Sequence, residues 1–436
     1  MQAWQGALQQ SPDLAVARAA REAGAARAEQ ASALWRPTVA LQAGVSYAGS
    51  ESNIRGASFT APGLGSASGV AFDTSVSGGA ATQATLAIRQ PLFSRERSAR
   101  AEALEQAAQA AEYEWAQAEQ EAMLRTAEVY FAAALAAERL RLVERQQQAV
   151  DQAAQQARDR FRLGDRPVTD VHEAESRAAG LQAERVAAQT QLELARQALS
   201  DMTGQPVTDE PVHLPGELAR EALSTLPDWL ARAEQRNPML MRAQTHWRTA
   251  QAQSRATGSA LSPTVDAVAQ IGRERWAGDG ASGSASQASR QHAVGLQITV
   301  PLYTGGMRSA QAAEARALVD QARAELDRAR LQVAQQTRAA WLDLAVGHHQ
   351  TSALKAAREA SLARLDATRV GLQAGDRTTL DLLNAENDAA SAELALSEAR
   401  VRLISRRLTL AALAGELDDT ALQQANAQLQ PSATRR

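Results

Sequence analysis

The side chains able to do acid, base or metal chemistry are few and scattered. The 436 residues hold six histidines, His172, His213, His246, His292, His348 and His349, and no cysteine. His172 and Glu175 stand three apart, a spacing that puts two ligands on one helix face, but no second pair completes a coordination set. His348 and His349 are neighbours, about 100° apart around a helix, and cannot reach one ion. Without cysteine, zinc ribbons, thiol nucleophiles and disulfide scaffolds are excluded. The stretches "LGDR", "GLGSASG" and "GDGASGSAS" lack either the strand-then-helix setting or the Lys-Ser/Thr ending of a phosphate loop. No Ser/His/Asp arrangement stands out. The expectation is a non-enzyme with no catalytic residue, no metal site and no cofactor.

What remains is electrostatic, and it occurs twice. "FRLGDRPVTDVHEAES" (161–176) and "LQAGDRTTLDLLNAEN" (372–387) share Gly-Asp-Arg at Gly164 and Gly375. On the residues alone, Arg377 and Asp381, four apart, read as an i,i+4 pair on a solvated helix face. The turn is one of four repeated landmarks. "SPDL" (11–14) returns as "NPML" (237–240), "RPTVA" (36–40) as "SPTVD" (262–266), and "QPLFS" (90–94) as "VPLYT" (300–304). The same order in both halves marks a tandem duplication. The first copy carries about 16 extra residues between its second and third landmarks, an insertion that reads as loop.

Each copy reads as helix, strand, loop, strand, helix, turn, helix. Residues 3–34 are rich in Ala, Glu, Arg and Gln and predict one helix ended by Pro37. Val39, Leu41, Ala43, Val45 and Tyr47 then alternate with polar or small residues, as do Val265, Ala267, Ala269, Ile271 and Val294, Leu296, Ile298, Val300. That is the period of a strand, giving four strands of about ten residues. The Gly- and Ser-dense segments 49–69 and 278–286 read as flexible loops. Residues 95–163, 167–203 and 305–413 read as helical rods, broken mainly near Gly375; a 65-residue helix would be about 100 Å long. Leu140, Val143, Gln147, Val150, Ala154, Ala157 and Phe161 recur at spacings of three and four, a small-residue seam for close helix packing. Segments 205–224 and 416–436, with Pro, Asp and Gly, resemble neither rod nor strand.

Composition fits thin, close-packed helices: 45% of residues are apolar but only 4% aromatic, and alanine dominates. Lys and Arg total 46 against 49 Asp and Glu, net −3, with no basic footprint for nucleic acid. The longest apolar run, "VYFAAALAA" (129–137), is far short of the ~18–20 residues of a membrane-spanning helix. Met1 leads into "QAWQGALQQ" with no apolar signal region, which fits a cytosolic protein or a mature exported one. Four strands leave a sheet with two open edges. In a bilayer only a closed barrel pairs every backbone group, so two or three chains, with eight or twelve strands, would be needed. Trp35, Tyr47, Phe93, Trp276 and Tyr303 near strand ends suit interfacial girdles, or are ordinary edge aromatics.

The motifs "NPML", "LSPTVDA", "VPLYTGGMRSAQAAEA" and above all "GDRTTLDLLNAEN" resemble the TolC family of outer-membrane channel-tunnel proteins, over roughly residues 4–425. The resemblance implies a mainly α fold with a small β part: a trimeric 12-stranded transmembrane β-barrel, four strands per chain, continued by a long periplasmic α-helical barrel. Periplasmic helices would occupy 1–36 and 94–204, then 225–262 and 304–415. Barrel hairpins would occupy 37–93, with a long extracellular loop, and 263–303; an equatorial segment would comprise 205–224 and 416–436. The implied function is the outer-membrane exit duct of a tripartite export system, with protein toxins by type I secretion first and drugs second. The implied partners are two further copies, a periplasmic adaptor, an inner-membrane ABC or proton-driven transporter, and outer-membrane lipid.

By the same resemblance, Gly164, Asp165, Arg166, Gly375 and Asp376 form the tips that meet the adaptor. Arg377 takes the place of a gate arginine, with Thr169 and Asp170 as its partners on the neighbouring hairpin. Asp381 would ring the entrance. Asn384 departs from the family's second acid one turn on, leaving one carboxylate ring. The competing readings are a soluble coiled-coil scaffold and a passive porin; the rods argue against the porin, which needs only barrel and loops.

Overall fold

The structure is a computed structural model that describes residues 1–63, 65–165, 167–205, 213–216, 223–280 and 283–430. The chain divides into two compact units: Met1–Gly24, Ala108–Trp247 and Ala322–Arg436 form the first, and Ala25–Ala107 with Arg248–Gln321 the second.

The second unit is built on a four-stranded antiparallel sheet of β1 (Thr38–Ala61), β2 (Gly65–Phe93), β4 (Thr264–Gly280) and β5 (Gly283–Thr299), in the order β1-β2-β4-β5. Its register carries the alternation of each strand across the whole sheet. Val39 faces Ile88, which faces Ala269, which faces Val294; the next row is Leu41, Leu86, Ile271 and His292. Over these rows one face is therefore apolar but for His292, and it is uncovered: Val294 is 89% exposed and Val45 80%. The opposite face carries Gln42, Thr85, Gln270 and Gln291, with Arg89 and Asp266 in an ion pair at 2.8 Å. Apolar on one face, polar on the other, is the pattern of a sheet with lipid outside and water inside.

The strands run to 24, 29, 17 and 17 residues, not the expected ten. Most of 49–69 and 278–286, expected as loop, is paired strand. Gly and Ser lack strand propensity alone, but a hairpin ladder supplies backbone partners whatever the side chains. Register shifts after Ala48 and Ile54 mark where the β1–β2 ladder is irregular.

At the start of the chain, α1 (Gln2–Gln10) and α2 (Pro12–Ala33) are two helices where one was expected over 3–34. Pro12 has no N–H to give the preceding turn, so it starts a helix instead of continuing one. Ser11 turns extended (ψ 119) and its Oγ accepts the Leu14 N–H at 3.4 Å. The same device recurs 226 residues on. Asn237 (ψ 122) ends α5 (Leu226–Arg236), Pro238 opens α6 (Pro238–Gly258), and Asn237 Oδ1 accepts the Leu240 N–H at 3.2 Å. The repeated "SPDL" and "NPML" are thus a helix break with its own cap.

The rods are α3 (Arg95–Arg162) paired with α4 (Val168–Thr203), and α7 (Met307–Ala374) paired with α8 (Thr379–Leu413). Val143, Val150, Ala153 and Ala154 of α3 bury against Ala174 and Leu181 of α4. On the expected seam, Phe161 is the exception, 45% exposed beside the turn. The segments read as neither rod nor strand hold a small mixed layer. There α9 (Asp419–Ala427) lies next to a two-residue ladder of β3 (Leu214–Pro215) with β6 (Leu429–Gln430). Trp4, Leu14, Met123, Leu408, Leu417 and Leu422 form the core beneath, and Trp4 Nε1 donates to Asp419 Oδ1 at 2.8 Å. Residues 206–212, 217–222 and 431–436 of those segments lie outside the described residues.

Two glycines should respond oppositely to alanine. Gly375 holds φ +85, so Gly375→Ala should cost about 1–2 kcal/mol. Gly180 lies inside α4 with open space where a Cβ would go, so Gly180→Ala should gain about 0.5–1 kcal/mol. Thermal loss of helical circular dichroism checks both; shifts of one sign would refute the assignment.

Candidate functional site

The two hairpin turns are built alike. At the end of α3, Gly164 takes φ +78, its N–H donates to Phe161 O at 2.9 Å, and Asp165 N donates to Arg160 O at 2.9 Å. At the end of α7, Gly375 donates to Leu372 O at 3.3 Å and Asp376 to Gly371 O at 2.9 Å. Both are Schellman caps, in which a left-handed glycine lets two N–H groups return to the last carbonyls. Gly164, Asp165, Gly375 and Asp376 are exposed at these tips; Arg166 lies outside the described residues.

The copies diverge where the next helix starts. Thr378 caps α8 in a capping box: its hydroxyl accepts the Asp381 N–H at 3.1 Å, and Asp381 Oδ2 accepts the Thr378 N–H and O–H, each at 2.9 Å. These bonds, the backbone one first, hold the Asp381 carboxyl below the usual carboxylate range, with a smaller contribution from Arg377. Arg377 precedes α8, so the i,i+4 helix pair expected on the residues alone is not formed. Pro167 stands in the place of Thr378 and offers α4 no side-chain cap. Asp170, in the place of Asp381, accordingly makes no side-chain hydrogen bond or ion pair among the described residues, nor does Arg377.

Arg377 is instead seated by packing. Its backbone N–H donates to Gly371 O at 3.2 Å, and its Cγ lies 2.7 Å from where a Cβ on Gly371 would stand. Any side chain there displaces the arginine stem. Thr169 and Asn384 are exposed, and within one chain neither Thr169 nor Asp170 is bonded to Arg377.

The two hairpins meet along their helices. Leu383 of α8 packs into the α3–α4 core, and Arg177 Nη2 donates to Asn387 Oδ1 at 2.8 Å. Glu393 of α8 takes Arg141 at 3.0 Å and also Arg145, both from α3. Burial raises its carboxyl, and the two guanidiniums more than reverse this, leaving it below the ordinary range. Sequence reasoning missed Thr378, Gly371, Arg177, Asn387 and Glu393. The Thr-x-x-Asp spacing could have given the cap; nothing local points from Arg177 to a residue 210 positions away. Elsewhere on the tip, His172 and Glu175 approach to 3.8 Å, but Glu175 is already held by Arg158 at 2.9 Å.

Among the described residues no helix is long and apolar enough to cross a membrane. The model of the family described as outer membrane efflux protein matches residues 3–205 and 229–416, one match for each copy of the duplication. The outer membrane protein TolC of Vibrio cholerae is 27% identical over 343 residues, 78% of each chain. The proteases secretion protein PrtF of Dickeya chrysanthemi is 28% identical over 350 residues, 78% of this chain and 74% of the relative. The crystal structure of VceC, an outer membrane protein of Vibrio cholerae, superposes with a TM-score of 0.73 at 22% identity, covering 95% of this chain and 96% of that one. With its duplicated hairpins, its lipid-ready sheet and a family match over most of its length, the chain belongs to the outer membrane efflux protein family, whose members span the outer membrane and the periplasm.

Proposed function

We propose that the chain is one third of a trimeric exit duct in a tripartite export system, receiving cargo from a periplasmic adaptor and an inner-membrane transporter. The open edges of β1 and β5 support closure by further copies, since a bilayer tolerates no unpaired edge, and the family resemblance makes that three copies and twelve strands. An uncovered apolar sheet face also disfavours the soluble scaffold. Polypeptide cargo is the first choice because two relatives are named as protease secretion proteins; drugs come second, as BepC of Brucella suis is named an efflux protein.

The observation that carries the gate is the divergence of the two tips. Asp381 is tied up by Thr378, whereas Asp170 and Arg377 take no side-chain partner among the described residues. Arg377 of one copy then pairs with Thr169 and Asp170 of the neighbouring hairpin. One exposed pair contributes only about 0.2–1 kcal/mol, but three acting together form a latch. Gly164, Asp165, Arg166, Gly375 and Asp376 receive the adaptor, and docking loosens the inner hairpin, a shift between two packings. The three Asp381 carboxylates select cations at the entrance. With Asn384 in place of a second acid, block by multivalent cations is weak.

Two measurements in a planar bilayer test this reading. Arg377→Ala combined with Asp170→Ala should raise the resting conductance several-fold; an unchanged resting level ends the latch. Because the folded Asp381 carboxyl is depressed, it stays charged above its ordinary value of about 3.9 and loses charge only as pH falls below that. Cation selectivity, read from reversal potentials, should therefore survive at pH values where an ordinary aspartate is half protonated. In Thr378→Ala it should disappear at a higher pH, and coincident midpoints would show that the cap does not tune the ring.

A further inference from the structure

The lipid-facing side of the sheet carries a basic cluster that the duct does not use. Arg273 of β4 and Arg290 of β5 are direct partners in the ladder, and by alternation both lie on the apolar face, one row beyond Leu41, Leu86, Ile271 and His292. Arg275 stands in the next row. All four basic side chains, His292 included, are exposed, and none of the three arginine side chains makes a hydrogen bond or ion pair among the described residues. Like charges directly opposite on a ladder repel and destabilise it. No acid occurs in β5, or in residues 38–48 and 79–93 of its neighbours; the acid of this face on β4, Asp279, is four residues past Arg275. The equivalent rows of the first copy, Ala43 with Ala84 and Val45 with Thr82, carry no charge.

The height of the cluster is what gives it a ligand. Arg290 is ten residues from Val300, about 33 Å along the strand and about 25 Å along the barrel axis after tilt. That is the full height of the apolar band of an outer-membrane barrel. The strands start at the helical end and turn at the far end, so the cluster sits at the outer headgroup level, where phosphorylated glycolipids lie. Guanidinium forks match phosphate oxygens bidentately, and an anion between Arg273 and Arg290 turns their repulsion into a shared contact. We propose that Arg273, Arg290 and Arg275, with His292 at the margin, form a binding site for the phosphate of an outer-leaflet glycolipid. The inference rests on the outer-membrane placement of the sheet and not on the duct.

The test uses the full chain reconstituted in phosphatidylcholine vesicles containing either bisphosphorylated lipid A or the same glycolipid stripped of phosphate. After re-extraction in mild detergent, native mass spectrometry counts glycolipid retained per chain. The phosphorylated form should be retained and the stripped form lost. Arg273→Gln with Arg290→Gln should lower retention about tenfold, Arg273→Lys with Arg290→Lys, which keeps the charge and loses the fork, should lower it less, and inorganic phosphate in the wash should not displace it. Equal retention of the two glycolipids, equal retention by the Gln variant, or displacement by inorganic phosphate overturns the site. Phosphate-dependent retention by protein that forms no channel would sink the duct and leave this inference standing.

Discussion

A sheet in hydrocarbon cannot leave its edge unpaired, because each unsatisfied backbone N–H or C=O there costs several kcal/mol. This chain brings a four-stranded sheet, with β1 and β5 at the edges, and an apolar face that none of the described residues covers. Both features are liabilities in a soluble monomer. They become assets once lipid covers the face and further copies cover the edges. The same constraint explains the duplication: each copy supplies one hairpin to the sheet, and repetition is the simplest route to a closed ring.

The helical part answers a different problem. With alanine as the main apolar residue, a helix gains little from burial per residue and depends on close approach over great length. Ala153, Ala154 and Ala174 let α3 and α4 lie near each other, while Leu181 and Val150 supply the larger contacts. Where α8 meets the other hairpin, polar groups join in, as Arg177 with Asn387 and Arg141 with Glu393. Such contacts are individually modest. Divergence after duplication then distributed the roles. A threonine in one copy ties up an aspartate; in the other a proline stands in its place, and the matching aspartate takes no side-chain bond among the described residues.

Much of this architecture is legible from sequence, and the failures have identifiable causes. The alternation of Val39, Leu41, Val45 and Tyr47 shows a strand because the period is local, whereas the true length of β1 and β2 does not show. Gly and Ser between 49 and 69 look like loop until a partner strand supplies their hydrogen bonds. The break at Ser11–Pro12 was visible as a repeated motif but not as a cap, since the motif repeats whether it ends a helix or not. At the tips, spacing alone suggested that Arg377 pairs with Asp381. The helix begins too late for that, and Thr378 takes the carboxylate first.

Residue order settles whatever depends on neighbours within a turn or a strand repeat: the duplication, the identity of rods and strands, the two Gly-Asp-Arg turns, and the lack of an apolar run long enough for a membrane helix. Pairing settles the rest. Arg273 and Arg290 are 17 positions apart and become opposite neighbours only through the register of β4 with β5. Arg177 meets Asn387, and Arg377 rests on Gly371, only once two helices have packed and one has turned. Period and propensity are properties of a segment, but register and contact are properties of two segments brought together. The charges that matter most here lie in that second class.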